Sequence, residues 1–272
     1  MRRVKKNPYR RKITLIAFVL TIIIISLAGG LYYGLKKRDS QQIATDRHGG
    51  AVVANGHECA AIGAQILRMN GTAADAAIAT LFCEGVTCPQ SMGIGGGFLL
   101  TIYDRANDRV ETLNARETAP AAATEDMMVK ADNSTKDKRG LLIAVPGELK
   151  GYWVLHQKYG KLEWKNLVQP TIDLCRKGHM VTGYLERILS RTKAKIHAEP
   201  SLREVFINPN TNDTWREGDY IKRLALADSL EIIANEGVHS LYSRNGTLLP
   251  KLMQDLKSFD SILTEDDFYN YE

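Results

Sequence analysis

The chain has 272 residues and a formal charge of +5 at pH 7. The positive excess sits at the start: ten of the 36 Lys and Arg and none of the 31 Asp and Glu fall in residues 1–38, which leaves 26 basic against 31 acidic residues, or −5, for the rest. With no basic patch interleaved with aromatics, composition excludes nucleic acid as a partner, and no internal repeat or low-complexity tract is present.

Residues 1–12 are a basic tail carrying Arg2, Arg3, Lys5, Lys6, Arg10, Arg11 and Lys12 and no acid. Ile13 to Leu35 then holds no charged residue. At about 1.5 Å per residue, a helix of that length crosses a hydrocarbon core of roughly 30 Å. Tyr32 and Tyr33 stand where an interfacial aromatic belt belongs, and Lys36, Lys37 and Arg38 follow before Asp39. The heavier basic cluster is expected to stay in the cytosol, which predicts a single-pass type II protein of the plasma membrane with its C-terminal bulk outside. A cleaved signal peptide ending near Ser26-Leu-Ala28 is the other reading, although its apolar core would be only about 7–15 residues long. Residues 36–49 are expected to form a polar stalk and 50–272 the folded domain.

Ala51 to Ala54 reads as a buried strand. His57 to Met69 has apolar residues at helical spacing, and the alanine-rich stretch Ala73 to Val86 reads as a core helix. Phe98 to Asp104 and Val110 to Arg116 read as two strands joined by the turn chemistry of Asp104-Arg-Ala-Asn-Asp108. Ala121 to Gly140 is charged and aperiodic and predicts a surface loop, and Leu141 to Val145 predicts a short strand stopped by Pro146-Gly147. Helices are predicted over Glu148 to Tyr159, Trp164 to Lys177, Thr182 to Ala198, Leu224 to Asn235 and Leu248 to Phe259. Strands flanked by helices suggest an α/β sandwich.

Four glycines crowd into Gly93-Ile-Gly-Gly-Gly97. Glycine admits positive φ and close backbone approach, so a tight turn is expected there. A phosphate loop needs strand, glycines and then helix; the order here is helix, glycines, strand, which disfavours nucleotide binding. Arg116 is expected at a strand end, from where a guanidinium could reach into a cleft or pair on the surface with Glu117. His57, His156 and His179 lack a serine or cysteine partner in an elbow motif, and neither GxSxG nor HExxH occurs. Cys59, Cys83, Cys88 and Cys175 form no CxxC pair and lack metal-site spacing, so no metal is expected; outside a cell some would pair, and otherwise they read as buried thiols. Sequons begin at Asn70, Asn133, Asn212 and Asn245, with Asn70 the least suited to a glycan.

Several blocks in order carry a resemblance: Ala51-Val-Val-Ala-Asn-Gly, Gly71-Thr-Ala-Ala-Asp-Ala-Ala-Ile-Ala79, Ser91-Met-Gly-Ile-Gly-Gly-Gly-Phe98, Asn114-Ala-Arg-Glu-Thr-Ala-Pro120, Val145-Pro-Gly-Glu-Leu-Lys-Gly151, Gly160-Lys-Leu-Glu-Trp164, Gln169-Pro170 and Leu263-Thr-Glu-Asp-Asp-Phe-Tyr-Asn-Tyr271. The chain resembles the gamma-glutamyltransferases (glutathione hydrolases) of the N-terminal-nucleophile hydrolase superfamily, over the N-terminal part of their large subunit.

The resemblance implies an αββα sandwich, incomplete in this chain. It implies gamma-glutamyl transfer and hydrolysis of glutathione and its conjugates at the cell surface, with amino acids or dipeptides as acceptors and no cofactor. The family's nucleophile is a threonine that opens a small subunit cut from the same precursor; it is expected beyond Glu272, so this chain alone is expected to be inactive. Arg116 stands where the family binds the α-carboxylate of the donor, and Cys59 and Cys83 stand where animal members form a disulfide. His179 stands where an aromatic is common. The alternative is a non-catalytic, membrane-anchored paralogue or truncated product with a binding or scaffold role.

Overall fold

The computed structural model describes residues 49–127 and 138–272, together with Ser26 and Gly29. The basic tail, most of the expected span at 13–35 and the sequon at Asn133 lie outside the described residues. Among the described residues no helix is long and apolar enough to cross a membrane. The chain divides into Met1–Gly50 and Ala51–Glu272, and the architecture that follows is that of the second unit.

The strand expected over Ala51 to Ala54 does not form: the segment is irregular, and Val53 is 94% exposed. Its apolar run finds no strand to pair with; Val52 alone packs against the core. Helix α1 (Cys59–Arg68) leads through Asn70, at φ 66°, into α2 (Ala73–Thr87). A capping box starts α2: Thr72 accepts from the Asp75 N–H while the Asp75 carboxylate accepts from Thr72, which satisfies two otherwise orphaned donors. Twelve of its 15 residues are buried, as an alanine-rich helix without a polar face requires. The Cys59 and Cys83 sulfurs are bonded, 1.98 Å apart, tying α1 to α2.

Strands β1 (Phe98–Asp104) and β2 (Arg109–Ala115) form an antiparallel hairpin in register Phe98 with Ala115 and Asp104 with Arg109. The turn is held by Asp104, whose carboxylate accepts from the N–H groups of Ala106 and Asn107 and from the Asn107 side chain. The strand expected over Leu141 to Val145 is instead a 3-10 turn (Lys138–Leu142) followed by one bridge between Val145 and Thr118. Pro146 comes next and has no N–H to extend a ladder.

Helices α3 (Glu148–Tyr159) and α4 (Trp164–Lys177) keep the predicted limits. After them come β3 (His179–Met180), α5 (Gly183–Ala198), α6 (Pro200–Phe206), β4 (Ile207–Asn208), β5 (Asp213–Thr214) and β6 (Tyr220–Ile221). The chain closes with α7 (Leu224–Glu236), α8 (His239–Tyr242), α9 (Leu249–Ser258) and α10 (Glu265–Tyr269). β3 pairs with β6 and β4 with β5, both antiparallel. The short helices α6, α8 and α10 and these small pairs are absent from the sequence reading; Thr264 and Asp267, a capping box at the start of α10, were the legible sign of one. The described residues thus supply helices and two-stranded pairs.

The core centres on aromatic rings. Phe82 meets Tyr152 edge-on at 5.1 Å and Trp164 at 5.6 Å, and Phe98 stacks on Tyr152 at 5.2 Å. The last contact pins the start of the hairpin to α3. Gly151 permits it, since a Cβ there would lie 2.4 Å from the Ala115 Cβ and 2.7 Å from the Phe98 ring. A second cluster of Val181, Leu185, Leu189, Ile196 and Ile221 packs around α5.

The glycine turn differs from expectation in its reason. None of Gly93, Gly95, Gly96 and Gly97 has positive φ; among the described glycines only Gly178, Gly218 and Gly237 do. Space, not dihedral freedom, is what the turn requires. A Cβ on Gly97 would lie 2.4 Å from the Ala115 carbonyl oxygen and 2.9 Å from the Arg116 Cα, whereas one on Gly95 meets nothing within 4 Å. Gly97→Ala is therefore expected to destabilise the chain by about 1–3 kcal/mol through overpacking, and Gly95→Ala to be neutral or stabilising by up to about 1 kcal/mol. Denaturant titration of the two variants checks this ordering.

His179 is fully buried and neither ring nitrogen has a hydrogen-bond partner. Burial pushes its imidazole below the usual value; the Met180 backbone and then Glu58 oppose this, and Arg223 adds to it. The fold therefore holds the neutral ring, while the unfolded chain takes up a proton near pH 6.5. The stability that depends on the neutral ring is complete above that pH and is lost as pH falls below it. Between pH 7 and pH 5 the melting temperature of the chain should fall more steeply than that of His179→Phe; equal slopes would contradict this.

Candidate functional site

The site is built on the four residues that end the hairpin. β2 stops at Ala115, which is buried against α3. Arg116 lies one step past the strand. Its N–H donates to Asn114 Oδ1 at 3.0 Å, and its carbonyl accepts from the Tyr271 hydroxyl at 2.7 Å. Thr118 then exchanges both backbone hydrogen bonds with Val145, at 3.3 and 2.9 Å. The backbone is thus held on each side of Arg116, while the head group stays accessible: the side chain is 58% exposed and its Nη2 sits 3.1 Å from Glu117 Oε2.

Both readings of Arg116 meet here. It does pair with Glu117 on the surface, and an exposed pair of this kind contributes only about 0–1 kcal/mol. A second carboxylate could replace Glu117 at that small cost. A guanidinium offers two parallel N–H groups to an incoming carboxylate, a geometry lysine lacks. The expected cleft is not the 440 Å³ groove lined by Ala73, Ala77, Leu100, Ile102, Leu155 and Tyr159, which lies along the other part of the hairpin and does not include Arg116.

Beneath Arg116 the glycine turn meets the start of α3. The Gly96 carbonyl accepts from the N–H groups of Gly147 and Glu148, both at 3.0 Å, and the Gly96 N–H donates to Glu148 Oε2 at 3.2 Å. Glu148 is 3% exposed, and Tyr152 donates its hydroxyl to the other carboxylate oxygen. Burial pushes the Glu148 carboxyl above the usual range; the Tyr152 and Gly96 hydrogen bonds oppose this and the Glu117 charge adds to it. Tyr271 is likewise raised, by burial first and then by Glu117. In the sequence, Glu148 and Tyr271 stand out only as members of the matching blocks. Glu148 had one local sign, an acid at the first position of a helix after Pro-Gly; Tyr271 had none, because it is 155 residues from Arg116.

The remaining candidates lie elsewhere. His156 is half-buried in α3, its Nε2 2.8 Å from the Leu162 carbonyl and its ring 5.4 Å from that of Trp164, a packing role. His57 is exposed. Cys88 and Cys175 are buried free thiols, each pushed up to about 11, mainly by burial, so neither offers a thiolate at neutral pH. Among the described residues no group of three or more His, Cys, Asp or Glu could hold a metal ion. Asn70, Asn212 and Asn245 are all exposed, Asn70 and Asn212 with left-handed backbones at φ 66° and 53°.

Residues 59–272 match the family described as gamma-glutamyltranspeptidase. The chain is 40% identical over 263 residues to Scoloptoxin SSD14 of Scolopendra dehaani, covering 96% of this chain and 45% of that protein. It is 40% identical over 224 residues to the Glutathione hydrolase 5 proenzyme of Mus musculus, covering 82% and 38%. Among solved structures, the gamma-glutamyltranspeptidase from Pseudomonas nitroreducens complexed with L-DON superposes with a TM-score of 0.73 at 31% identity, over 83% of this chain and 65% of that one. The chain therefore spans less than half the length of these two curated relatives. By its sequence and its N-terminal-nucleophile hydrolase α/β fold, it belongs to the gamma-glutamyltranspeptidase family, whose members are gamma-glutamyltransferase and glutathione hydrolase enzymes.

Proposed function

We propose that this chain is the N-terminal part of a gamma-glutamyltransferase large subunit, and that Arg116 binds the α-carboxylate of the gamma-glutamyl donor. The single observation that carries the reading is an exposed guanidinium on a fixed backbone, paired among the described residues with a weakly held neighbour. The relatives named glutathione hydrolase support glutathione and its conjugates as donors. In the reaction the family performs, a threonine hydroxyl attacks the gamma-carbonyl with its own α-amine as base, and a gamma-glutamyl-enzyme forms. Water then completes hydrolysis, or an amino acid or dipeptide completes transfer. The threonine belongs to a small subunit of the same precursor, C-terminal to the blocks matched here, so the present chain supplies donor binding and scaffold and is inactive alone.

The location follows the same reading. A basic tail at 1–12 and an uncharged run at 13–35 support a type II anchor in the plasma membrane, with a stalk at 36–49 and the family domain outside. An extracellular position also suits the Cys59–Cys83 bond and glycans on Asn133, Asn212 and Asn245, with Asn70 the least favoured.

Arg116→Ala in the complete gene product should raise KM for gamma-glutamyl donors by about 10- to 100-fold, the loss of charged hydrogen bonds worth about 1.5–3 kcal/mol, while self-cleavage continues. Arg116→Lys should restore little of it. Steady-state kinetics on the cleaved protein checks this, and an unchanged KM in a cleaved Arg116→Ala variant removes the assignment.

A further inference from the structure

Glu148 is a buried carboxylate bonded to Gly96, whose neighbour Gly97 packs against the Arg116 Cα, and nothing so far gives it a task. It occupies the first position of α3, a 12-residue helix, and is 3% exposed. Both its oxygens are engaged by different parts of the fold. One accepts from the Gly96 N–H in the glycine turn. The other accepts from Tyr152, whose ring is wedged between Phe82 and Phe98 in the core. Among the described residues no cation pairs with it, and Glu117 stands close enough to disfavour its charge. A carboxylate in such a place is costly, and an apolar residue would fill the space more cheaply.

The fold around it shows what the carboxylate holds. Gly96 has both backbone groups taken by the first turn of α3, one of them by the Glu148 side chain. Gly97, next in the chain, lies against the Ala115 carbonyl and the Arg116 Cα with no room for a Cβ. Gly147, just before the helix, is closed in the same way by the Tyr271 hydroxyl and the Ala115 carbonyl, 1.9 and 2.5 Å from where its Cβ would stand. Tyr271 in turn donates to the Arg116 carbonyl. Moving Gly96 therefore moves Gly97, and through direct backbone contact it moves Arg116.

We propose that Glu148 is a positioning residue for donor binding: through Gly96 it locks the glycine turn against α3 and so sets the place of the Arg116 guanidinium. This rests on the reading of Arg116 as the donor-carboxylate site. The task needs a hydrogen-bond acceptor at that reach, not a negative charge, so an amide oxygen can perform it.

The test uses the complete gene product, with a chromogenic gamma-glutamyl amide as donor. Glu148→Ala is expected to raise KM for the donor about tenfold or more, since misplacing a binding group by about 1 Å can cost about a hundredfold, with kcat within about threefold. Glu148→Gln is expected to bring KM back to within about threefold of the parent, a recovery that accompanies a retained acceptor. Glu148→Asp, which keeps the charge but withdraws the oxygen, should behave like Ala. Where Glu148→Ala fails to fold or mature, the Gln and Asp variants decide: KM low for Gln and high for Asp supports the proposal, and the reverse order overturns it. An unchanged KM in Glu148→Ala, or equal losses in Ala and Gln, also overturns it. A parent protein without turnover, or an Arg116→Ala variant with unchanged KM, would instead strike the donor-site reading itself. A raised KM in Arg116→Ala beside silent Glu148 variants would leave that reading standing and remove only this inference.

Discussion

One glycine surrenders both of its backbone groups to one helix end, and the arrangement of the site follows from that. The Gly96 carbonyl receives two N–H groups from the first turn of α3, and its N–H is taken by the carboxylate at that helix's first position. The first turn of a helix has N–H groups without intrahelical partners, so the clasp serves both sides. It brings the turn, the hairpin and α3 to within backbone contact. Only residues without a Cβ can stand at Gly97, Gly147 and Gly151 once that has happened. The glycines are therefore consequences of close packing between hairpin and helix, not of unusual dihedrals.

Around this clasp the structure separates rigid from exchangeable parts. The main chain of Arg116 is fixed by Asn114, Tyr271 and the neighbouring bridge at Thr118. Its guanidinium is left in solvent with an acidic neighbour that costs little to displace. That combination suits recognition of a carboxylate: the entropy of placing the backbone is met by folding, and the partner exchange is nearly neutral. The aromatic contacts from Phe98 through Tyr152 to Phe82 and Trp164 carry the same rigidity into the core.

Much of this was legible in the sequence, and the reasons for the rest are physical. Alternation from Phe98 to Asp104 and the Asp104–Asp108 turn specified the hairpin because both signals are local. Glu148–Tyr159 and Trp164–Lys177 were bounded by glycines that ended their periodicity. Ala51 to Ala54 misled because an apolar run makes a strand only where another strand can pair with it. Leu141 to Val145 misled because Pro146 cuts a ladder to one bridge. At the site, Arg116 could be named from its motif, and the Cys59 and Cys83 sulfurs are bonded where family resemblance suggested. The support beneath Arg116 could not be named: Gly96 and Glu148 are 52 residues apart, and Tyr271 and Arg116 are 155 apart. Such pairings leave no periodic trace.

The most direct measurement is a structure of the intact gene product with L-glutamate bound. The account predicts the α-carboxylate of glutamate on the Arg116 guanidinium in two parallel hydrogen bonds, Glu117 turned aside, and the Gly96–Glu148 clasp unchanged. Glutamate bound away from Arg116, with the Arg116–Glu117 pair intact, would contradict it.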